Sequence, residues 1–372
     1  MHKNKNIKRI NKKIDSLIEK RKSYTKPTPQ FRRGFKDYDI LYHASKGKGG
    51  RGISAEKMKS MAKWIEYNQE IDEMHSDIKR IENKMIKKII KESDVILATN
   101  SSAALESIAK TKFDVAIIDE ASQATIPSIL IPIAKAHRFI LAGDHKQLPP
   151  TIISSRAGDL EKTLFEALIR KYPNKSQLLN VQYRMNRLLM KFPNSEFYNN
   201  SLKSDSSVDK IKISDIIGSN YDEEALLFMD TSNIDNKEEH LKDSKSIINK
   251  LEANIAVSVA NDYLTAGVDE SDIGIISPYA DQVKIIQNKT PVEVKTVDGF
   301  QGREKEIIII STVRSNDNGN IGFLNDLRRL NVAITRAKRK LIIIGNKNTL
   351  KNNPTYERLI EFVESENLLV KI

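Results

Sequence analysis

Residues 114–124 have the sequence DVAIIDEASQA, in which four apolar residues lead into two adjacent carboxylates, Asp119 and Glu120. An apolar run of this kind predicts a strand that is buried on both faces. Carboxylates directly after such a strand would lie where Mg²⁺ and a nucleotide bind, and Glu120 could orient or deprotonate a water there. The alternative is that they are solvated or helix-capping acids, which are common at strand ends. Both interpretations are open at this point.

Similar apolar runs recur from residue 93 onward, and helical stretches separate them. They occupy residues 95–99, 115–119, 138–144, 177–181, 225–230, 273–277, 292–297, 306–312 and 340–346. Strands this apolar need helices on both faces of their sheet, so the pattern predicts an α/β fold with parallel sheets. The strands are numerous enough for two such units, with a boundary near residue 175. The predicted domains are therefore 1–92, 93–175 and 176–372.

The first 92 residues have a helical pattern instead. In residues 54–92 apolar side chains step by three and four positions, at Ile71, Met74, Ile78, Ile81 and Met85. This narrow seam predicts one long helix that Ser54 can cap. Residues 7–22 have a shorter seam, and the two helices could pair as an antiparallel hairpin. The segment between them is rich in Pro, Gly and Arg, which predicts an irregular basic connector.

Positive charge is concentrated in the same segment. Residues 1–92 hold 25 Lys and Arg against 12 Asp and Glu, a net of +13, whereas the rest of the chain holds 36 against 37, a net of −1. A concentrated basic segment favours a polyanion such as nucleic acid, because binding releases condensed counterions. A solvated lysine-rich helix is the alternative interpretation.

Composition excludes several classes of protein. The chain has no cysteine, which rules out disulfides and thiolate metal sites and is compatible with a reducing cytoplasm. No apolar run approaches the roughly 18 residues of a membrane span. The N-terminal stretch MHKNKNIKRI lacks the apolar core of a signal peptide. We therefore expect a cytoplasmic protein without a membrane partner.

Four further stretches carry polar side chains beside predicted strands. LAGDHKQLPP (141–150) places Gln147 where it could bond a phosphate or a water, and QYRMN (182–186) offers Arg184 and an aromatic ring. VKTVDGFQGREKEIIII (294–310) places Gly302 in a turn, and RLNVAITRAKRKLIIIGN (329–346) places Arg336 just before a strand. Taken singly, the last three stretches are better explained as a structural turn or a surface arginine. An ordinary turn is disfavoured for LAGDHKQLPP, because it follows VAIIDEASQA by one predicted strand.

Taken in order, these stretches are specific. The succession IIDEASQA, GDHKQLPP, QYRMN, SPYADQ, VDGFQGREKE and NVAITRAKRKLIIIGN resembles motifs II, III, the arginine-bearing start of the second domain, IV, V and VI of superfamily 1B helicases. The resemblance covers essentially the whole chain. It is strongest to the archaeal relatives of the nonsense-mediated-decay helicase and of the immunoglobulin-mu-binding-protein helicase. It implies RecA-like sheets, the first incomplete and the second complete, with an N-terminal helical stalk that is similar to a remnant of domain 1B.

The resemblance also implies roles for individual residues and a requirement for ATP and Mg²⁺. Catalytic roles fall on Asp119, which is also the implied metal ligand, and on Glu120, Gln147, Arg184 and Arg336. Nucleotide contacts fall on Tyr183, Gln301, Gly302 and Glu304. Positions that match the single-strand track of the family are Thr99, Pro278, Tyr279 and Thr296. The implied partner is therefore single-stranded DNA or RNA.

One part of a nucleotide site is missing from the sequence. A P-loop needs the pattern G-x-x-x-x-G-K followed by Ser or Thr. Of the 15 glycines only Gly47 precedes a lysine, and neither residue 42 nor residue 49 fits the pattern. The strand that feeds the P-loop is absent as well. We expect the chain to be the C-terminal part of a helicase that needs a P-loop-containing N-terminal polypeptide, and to be inactive alone.

Three functions remain open from sequence. The chain could form half of a translocating ATPase, as the retained Asp119, Glu120, Arg184 and Arg336 favour. It could instead bind single strands without catalysis, as the basic first 92 residues favour. It could also be a truncated product that does not fold.

Overall fold

The computed structural model describes residues 5–218, 224–235, 237–242 and 244–372. These form two compact units. The first runs to Asp114 and includes Ile131–His137, and the second holds Val115–Leu130 and Arg138–Ile372. The domain boundaries at residues 92 and 175 stay predictions.

Fourteen α-helices are defined within the described residues. They are α1 (Lys5–Lys22), α2 (Pro29–Arg32), α3 (Asp37–Ser45), α4 (Ala55–Glu92), α5 (Glu106–Ala109), α6 (Ile126–Ile133), α7 (Leu164–Lys171), α8 (Arg187–Tyr198), α9 (Ser214–Ile217), α10 (Lys250–Thr265), α11 (Ala280–Gln287), α12 (Leu327–Ile334), α13 (Lys347–Leu350) and α14 (Pro354–Ser365). No described helix is both long and apolar enough to cross a membrane.

Twelve strands accompany them in the described part of the chain. They are β1 (Phe113–Ile118), β2 (Ala136–Leu141), β3 (Val181–Gln182), β4 (Lys203–Ser204), β5 (Leu226–Asp230), β6 (Glu239–His240), β7 (Ile247–Ile248), β8 (Ile273–Ser277), β9 (Glu293–Thr296), β10 (Lys305–Ser311), β11 (Ala337–Gly345) and β12 (Leu369–Lys371). The α/β class that the sequence predicts is confirmed.

The first unit is built on a helical hairpin, as predicted. Helices α1 and α4 pack antiparallel through a small apolar cluster centred on Ile14, Leu17 and Ile71. Lys13 Nζ lies 3.1 Å from Glu70 Oε1 beside this seam. Ser54 caps α4, since its side chain accepts a hydrogen bond from the Lys57 N–H over 3.2 Å. Periodicity therefore located both helices, and the capping Ser54 marked the start of α4.

The connector between these helices is more ordered than predicted. It contains α2 and α3, and a second apolar cluster packs them against the start of α4 through residues such as Phe35, Ile40 and Met58. The prediction of an irregular segment was wrong, because apolar side chains lie between the prolines and glycines of the connector. Those side chains bury against α4 and hold the short helices in place.

The second unit contains a six-stranded, fully parallel sheet in the order β12–β5–β11–β10–β8–β9. Alternate side chains of its central strands enter opposite layers. Ile308 and Ile310 of β10 pack toward α8, α12 and α14, whereas Ile307 and Ile309 pack toward α10 and α11. Burial on both faces explains why these strands are uniformly apolar. The complete second sheet is thus confirmed.

Among the described residues, the first sheet consists of two strands, β1 and β2. The runs at 95–99 and 177–181 were predicted as strands, but the first forms none and the second contributes only Val181 to β3. Their side chains are correspondingly exposed, Leu97 by 93% and Leu179 by 87%. A strand needs a hydrogen-bonded neighbour. Among the described residues, 95–99 pairs with no strand, and 177–181 is paired only at its end, where Lys203 N donates to Asn180 O and Val181 pairs with Lys203. The expectation of an incomplete first sheet is confirmed.

Candidate active site

The two carboxylates of the opening stretch lie directly after β1. Ile118 at its end is buried, and the chain then turns sharply because Glu120 has a left-handed backbone with φ of 50°. Glu120 N donates to Asp119 Oδ1 over 2.9 Å, and Gln123 Nε2 donates to Glu120 Oε2 over 2.6 Å. Such strained residues cluster at functional sites. Both carboxylates are exposed, and neither forms an ion pair within the described residues.

The turn after β2 packs against the turn after β1. Ala121 N donates to Ala142 O over 2.8 Å, and Asp144 N donates to Ser122 Oγ over 3.1 Å. Gly143 permits this approach, since a Cβ there would lie 2.9 Å from Ser122 N. Gly143 and Ser122 therefore fix the spacing between the turns that carry Glu120 and Gln147.

Gln147 is oriented by a neighbouring carboxylate. Its Nε2 donates to Asp144 Oδ2 over 2.8 Å, and this fixes the direction in which the amide oxygen Oε1 points. That oxygen accepts from Arg336 Nη2 over 3.2 Å. The structure thus brings together two side chains that the sequence separates by 189 positions.

Arg336 is a buried arginine whose bonds go only to neutral oxygens. It is 3% exposed, and its Nε and Nη1 donate to Val332 O and Arg303 O over 3.0 and 3.4 Å. Burial, and then the charge of the nearby Arg184, lower the pKa of Arg336 to about 10, while Glu120 and Glu304 act in the opposite direction. A buried guanidinium without a carboxylate partner is costly. The site is therefore suited to an anion.

Arg184 lies beside Arg336 and is tied to Glu304. Its Nε pairs with Glu304 Oε2, and its Nη1 donates to Thr335 O over 3.2 Å. Lys338 Nζ also lies 3.3 Å from Glu304 Oε1. Burial acts to raise the pKa of Glu304, but the charges of Arg184 and Lys338 outweigh it and the pKa is lowered. Glu304 therefore stays ionised and positions Arg184.

Sequence reasoning missed two residues that complete this cluster. Tyr198 donates its hydroxyl to Asp144 Oδ2 over 2.5 Å and accepts from Asn331 Nδ2 over 2.9 Å. Asn331 also donates to Lys146 O over 3.0 Å. Burial, and then the Asp144 charge, raise the pKa of Tyr198, so the hydroxyl remains a donor. Asn331 precedes Arg336 by five residues in a quoted motif, whereas nothing in the sequence marked Tyr198.

The residues implied to contact the nucleotide differ in their exposure to solvent. Tyr183 is 68% exposed, so a base could stack on its ring, and Gly302 turns the chain at a φ of 74°. Gln301 Nε2 is buried but has no hydrogen-bond acceptor. A buried donor without an acceptor indicates a missing partner. Gln301 and Arg336 therefore both have unmet capacity to bind an acceptor or an anion.

Three of the four implied single-strand contacts share one edge of the large sheet. Pro278 and Tyr279 follow β8, and Thr296 ends β9 opposite Ser277. The Tyr279 ring is buried, and its hydroxyl accepts from Arg314 Nη1 over 3.2 Å. Thr99 belongs to the first unit, where it is exposed and its hydroxyl donates to Ser102 Oγ over 2.9 Å.

The chemistry of these residues fits Mg²⁺ and a phosphorylated ligand in part. No group of three or more His, Cys, Asp or Glu side chains converges among the described residues. Mg²⁺ keeps several waters and takes one or two carboxylates, a role that Asp119 can fill. Arg336, Arg184 and Gln147 offer donors and an acceptor near Glu120. The lysine of a P-loop has no counterpart in this sequence.

Similarity to known proteins extends along most of the chain. Two family models, each described as an AAA domain, match residues 1–155 and 160–348. An uncharacterized ATP-dependent helicase of Methanocaldococcus jannaschii is 44% identical over 370 residues, which cover 96% of this chain and 54% of that protein. Among solved structures, an arterivirus nonstructural protein 10 helicase bound to DNA has 14% identity over 63% of this chain and 40% of its own, with a TM-score of 0.32.

Two eukaryotic relatives match a shorter part. The DNA-binding protein SMUBP-2 of Mus musculus is 37% identical over 80% of this chain and 31% of its own length. A regulator of nonsense transcripts 1 homolog of Neurospora crassa is 35% identical over 79% of this chain and 28% of its own length. The chain spans about half the length of the archaeal relative and less of the others. Its AAA-domain matches and these relatives show that the chain belongs to the superfamily 1B helicases.

Proposed function

We propose that this chain carries motifs II to VI of an ATP-driven nucleic-acid helicase. The observation that carries the proposal is the buried Arg336, which has no carboxylate partner and bonds Gln147 beside Arg184. A chain without phosphoryl chemistry would gain nothing from a desolvated guanidinium in this position. Arginine at such a site stabilises the charge that develops on a transferring phosphoryl group.

Each residue then has a role that follows from its surroundings. Mg²⁺, when bound, would neutralise phosphate charge. Asp119 would hold that ion through its water shell. Glu120, exposed on a strained turn, would orient the attacking water and accept its proton. Gln147, held by Asp144, would couple the phosphate to Arg336, and Glu304 would keep Arg184 in place.

We further propose that hydrolysis requires a P-loop-bearing polypeptide, covalently attached or separate. The first sheet supports this proposal, because Ile117 of β1 and Ile140 of β2 are 71% and 56% exposed. Apolar strand faces are normally covered. Further strands beside β1 and β2, together with the helices that connect such strands, would extend the sheet and cover these faces. They would also bring the lysine and the backbone donors that the phosphates need.

The proposed substrate of translocation is a single strand of DNA or RNA, with 5′ to 3′ polarity by family likeness. Pro278 and Thr296 at one sheet edge, together with the positive charge of residues 1–92, support binding to a phosphate backbone. The absence of cysteine favours a cytoplasmic location.

The test is ATP hydrolysis by reconstitution. The chain is assayed alone, and then with a P-loop-bearing polypeptide from a helicase of this family, each with and without single-stranded DNA or RNA. We expect hydrolysis only in the mixture, with stimulation by the strand. An E120Q variant should abolish it, whereas R170A, which removes an arginine that is 80% exposed, should not. No hydrolysis at any concentration of the mixture would exclude the proposal.

A second function is supported by a separate observation. The net charge of +13 in residues 1–92 favours a protein that binds single strands without catalysis. Such a protein would bind strands in a salt-sensitive way that ATP does not change. Affinity that depends on ATP in the reconstituted mixture would exclude this alternative.

A further inference from the structure

The connector of the first unit contains two turns with the same unusual backbone. In each, an arginine and a glycine both have positive φ, 45° and 81° at Arg33–Gly34, and 52° and 74° at Arg51–Gly52. Phe35 N donates to Arg32 O over 2.8 Å across the first turn, and Ile53 N donates to Gly50 O over 2.9 Å across the second. Two successive positive φ angles define a type I′ turn, where Asn or Gly normally precedes the glycine. An arginine in this position is strained.

These paired Arg–Gly turns interlock through their own side chains. Arg33 Nη1 donates to Arg51 O over 3.0 Å, and Arg51 Nη1 donates to Arg33 O over 3.2 Å. Each guanidinium lies over the glycine of the other turn, so that a Cβ at Gly34 would be 2.8 Å from Arg51 Nη1. Each glycine is therefore required both for its backbone conformation and for close approach.

The interlock holds two positive groups together without a neutralising acid. The adjacent Arg32 has a carboxylate partner, since its Nη2 lies 2.9 Å from Asp37 Oδ1. Arg33 and Arg51 are exposed, and within the described ranges neither forms an ion pair. Fixed like charges repel each other unless an anion lies between them. Planar guanidinium groups are the side chains best suited to bind phosphate oxygens in pairs.

Aromatic rings lead from this pair to an exposed stacking surface. The Arg51 guanidinium carbon lies 4.6 Å from the centre of the Phe35 ring. The centres of the Phe35 and His43 rings are 5.0 Å apart. Tyr42 packs edge-on against His43 at 5.9 Å and is 62% exposed. Exposed tyrosines next to cationic groups bind unpaired bases by stacking.

We propose that the paired Arg–Gly turns form a second contact for a single nucleic-acid strand, in which Arg33 and Arg51 bind a backbone phosphate and Tyr42 stacks on a base. The inference rests on the proposed nucleic-acid binding. It adds a phosphate site in the first unit, on residues that belong to none of the helicase motifs. The net charge of +13 in residues 1–92 favours an extended polyanion over a single small anion.

The test measures how affinity for a labelled single-stranded oligonucleotide depends on salt. We compare the whole chain with an R33Q/R51Q double variant. The matched control, K84Q/K87Q, removes two exposed charges near the far end of α4. They lie about 45 Å along the helix from its first turn, which follows Arg51 closely in the chain. Each phosphate contact contributes about 0.7 to the slope of log K against log salt for single strands. Because the two arginines share one phosphate, we expect the slope to fall by about 0.7 for the arginine pair and to stay unchanged for the lysine pair.

A variant at Tyr42 keeps the test valid even if the arginine pair affects folding. Y42A should lower affinity severalfold without changing the salt slope, whereas Y172A, at a tyrosine of the second unit that is 46% exposed, should not. Melting temperature and helical circular dichroism check the fold of each variant. Equal affinities of the wild type and Y42A would overturn the proposal.

Two further outcomes separate this proposal from the proposed function. Equal slopes for the arginine and lysine pairs, with the wild type still binding strands, would overturn the Arg–Gly site alone. No binding of any strand by the wild type would overturn both. Displacement of the strand by orthophosphate at an equal concentration of phosphate would show a general anion site and would also overturn the assignment to a strand.

Discussion

At the scale of single residues, Arg336 has the surroundings that most require an anion. It is buried, bonds only neutral oxygens and has a pKa lowered to about 10 by burial and by Arg184. In the reconstituted ATPase we expect R336A to lower the rate of hydrolysis by about 10³-fold. R336K should restore little, because lysine lacks the planar donor pair. Single-turnover hydrolysis would measure this effect, and a rate within threefold of the wild type would contradict the assignment.

Glu252 provides a residue-scale prediction about stability. It is fully buried on α10, where Ser311 Oγ and Val313 N donate to its Oε2 over 2.8 and 2.7 Å. Burial raises the pKa of Glu252 to about 8, so the native protein holds a proton there that the unfolded chain releases near pH 4.5. Its stabilising contribution is therefore complete below pH 4.5 and is lost as the pH rises toward 8.

The E252Q variant isolates this effect because it cannot ionise. Between about pH 5 and 8 the wild type should lose stability relative to E252Q, by up to about 1.4 kcal/mol per pH unit. Urea unfolding of both proteins across this range measures the difference. A constant difference would mean that the buried carboxyl keeps an ordinary pKa. The hydrogen bond from Val313 N to Glu252 also stabilises a strained backbone, since the buried Val313 has a φ of 71°.

At the scale of elements, the close packing of the turn after β1 against the turn after β2 depends on Gly143. A Cβ at this position would lie 2.9 Å from Ser122 N and 3.2 Å from Ala121 N. G143A should therefore push the Glu120 turn away from Gln147 and lower hydrolysis by at least tenfold, because small misplacements of reacting groups are costly. Gly158 has open space around it, so G158A is the matched control. Unchanged hydrolysis in G143A would show that the spacing of the turns is not limiting.

The elements also show what the sequence alone can predict. Periodicity located α4 and the central strands, because burial on one stripe or on both faces leaves a direct pattern. It was wrong for 95–99 and for most of 177–181, because an apolar run forms a strand only where another strand pairs with it, and the described residues pair only the end of the second run. The motifs marked Arg336 and Gln147 but not Tyr198, since a tyrosine that orients Asp144 has no fixed spacing. The Arg–Gly turns gave no signal, because glycine-rich basic stretches usually indicate loops.

At the scale of the whole molecule, the first sheet is where stability and function meet. Two strands are too few for an independently stable sheet. Ile117 and Ile140 expose apolar surface on strands, which is the typical origin of edge-to-edge association. The same surface would be covered by the strands that bring a P-loop. We therefore expect association of the chain with itself and association with a P-loop-bearing polypeptide to compete.

This competition can be measured directly. Alone, the chain should form oligomers whose mass rises with concentration, and it should bind a dye specific for apolar surface. Addition of the P-loop-bearing polypeptide should return it to a defined complex and release the dye. An I117S/I140S variant should associate less with itself, because each serine removes apolar area from the exposed strands.

The control for this experiment is an isoleucine of greater exposure that lies outside any described strand. Ile153 is 98% exposed and lies in the segment before α7, so I153S removes apolar surface without altering the sheet. Equal self-association of I153S and the wild type, together with less in I117S/I140S, would assign the contact to β1 and β2. A chain that sediments as a monomer at all concentrations and binds no dye would contradict the expectation, since its two-stranded sheet would then be stable in water as it stands. In that event the exposed isoleucines would not drive association, and the requirement for a P-loop-bearing polypeptide would rest on the phosphate chemistry of Arg336 and Glu120 alone.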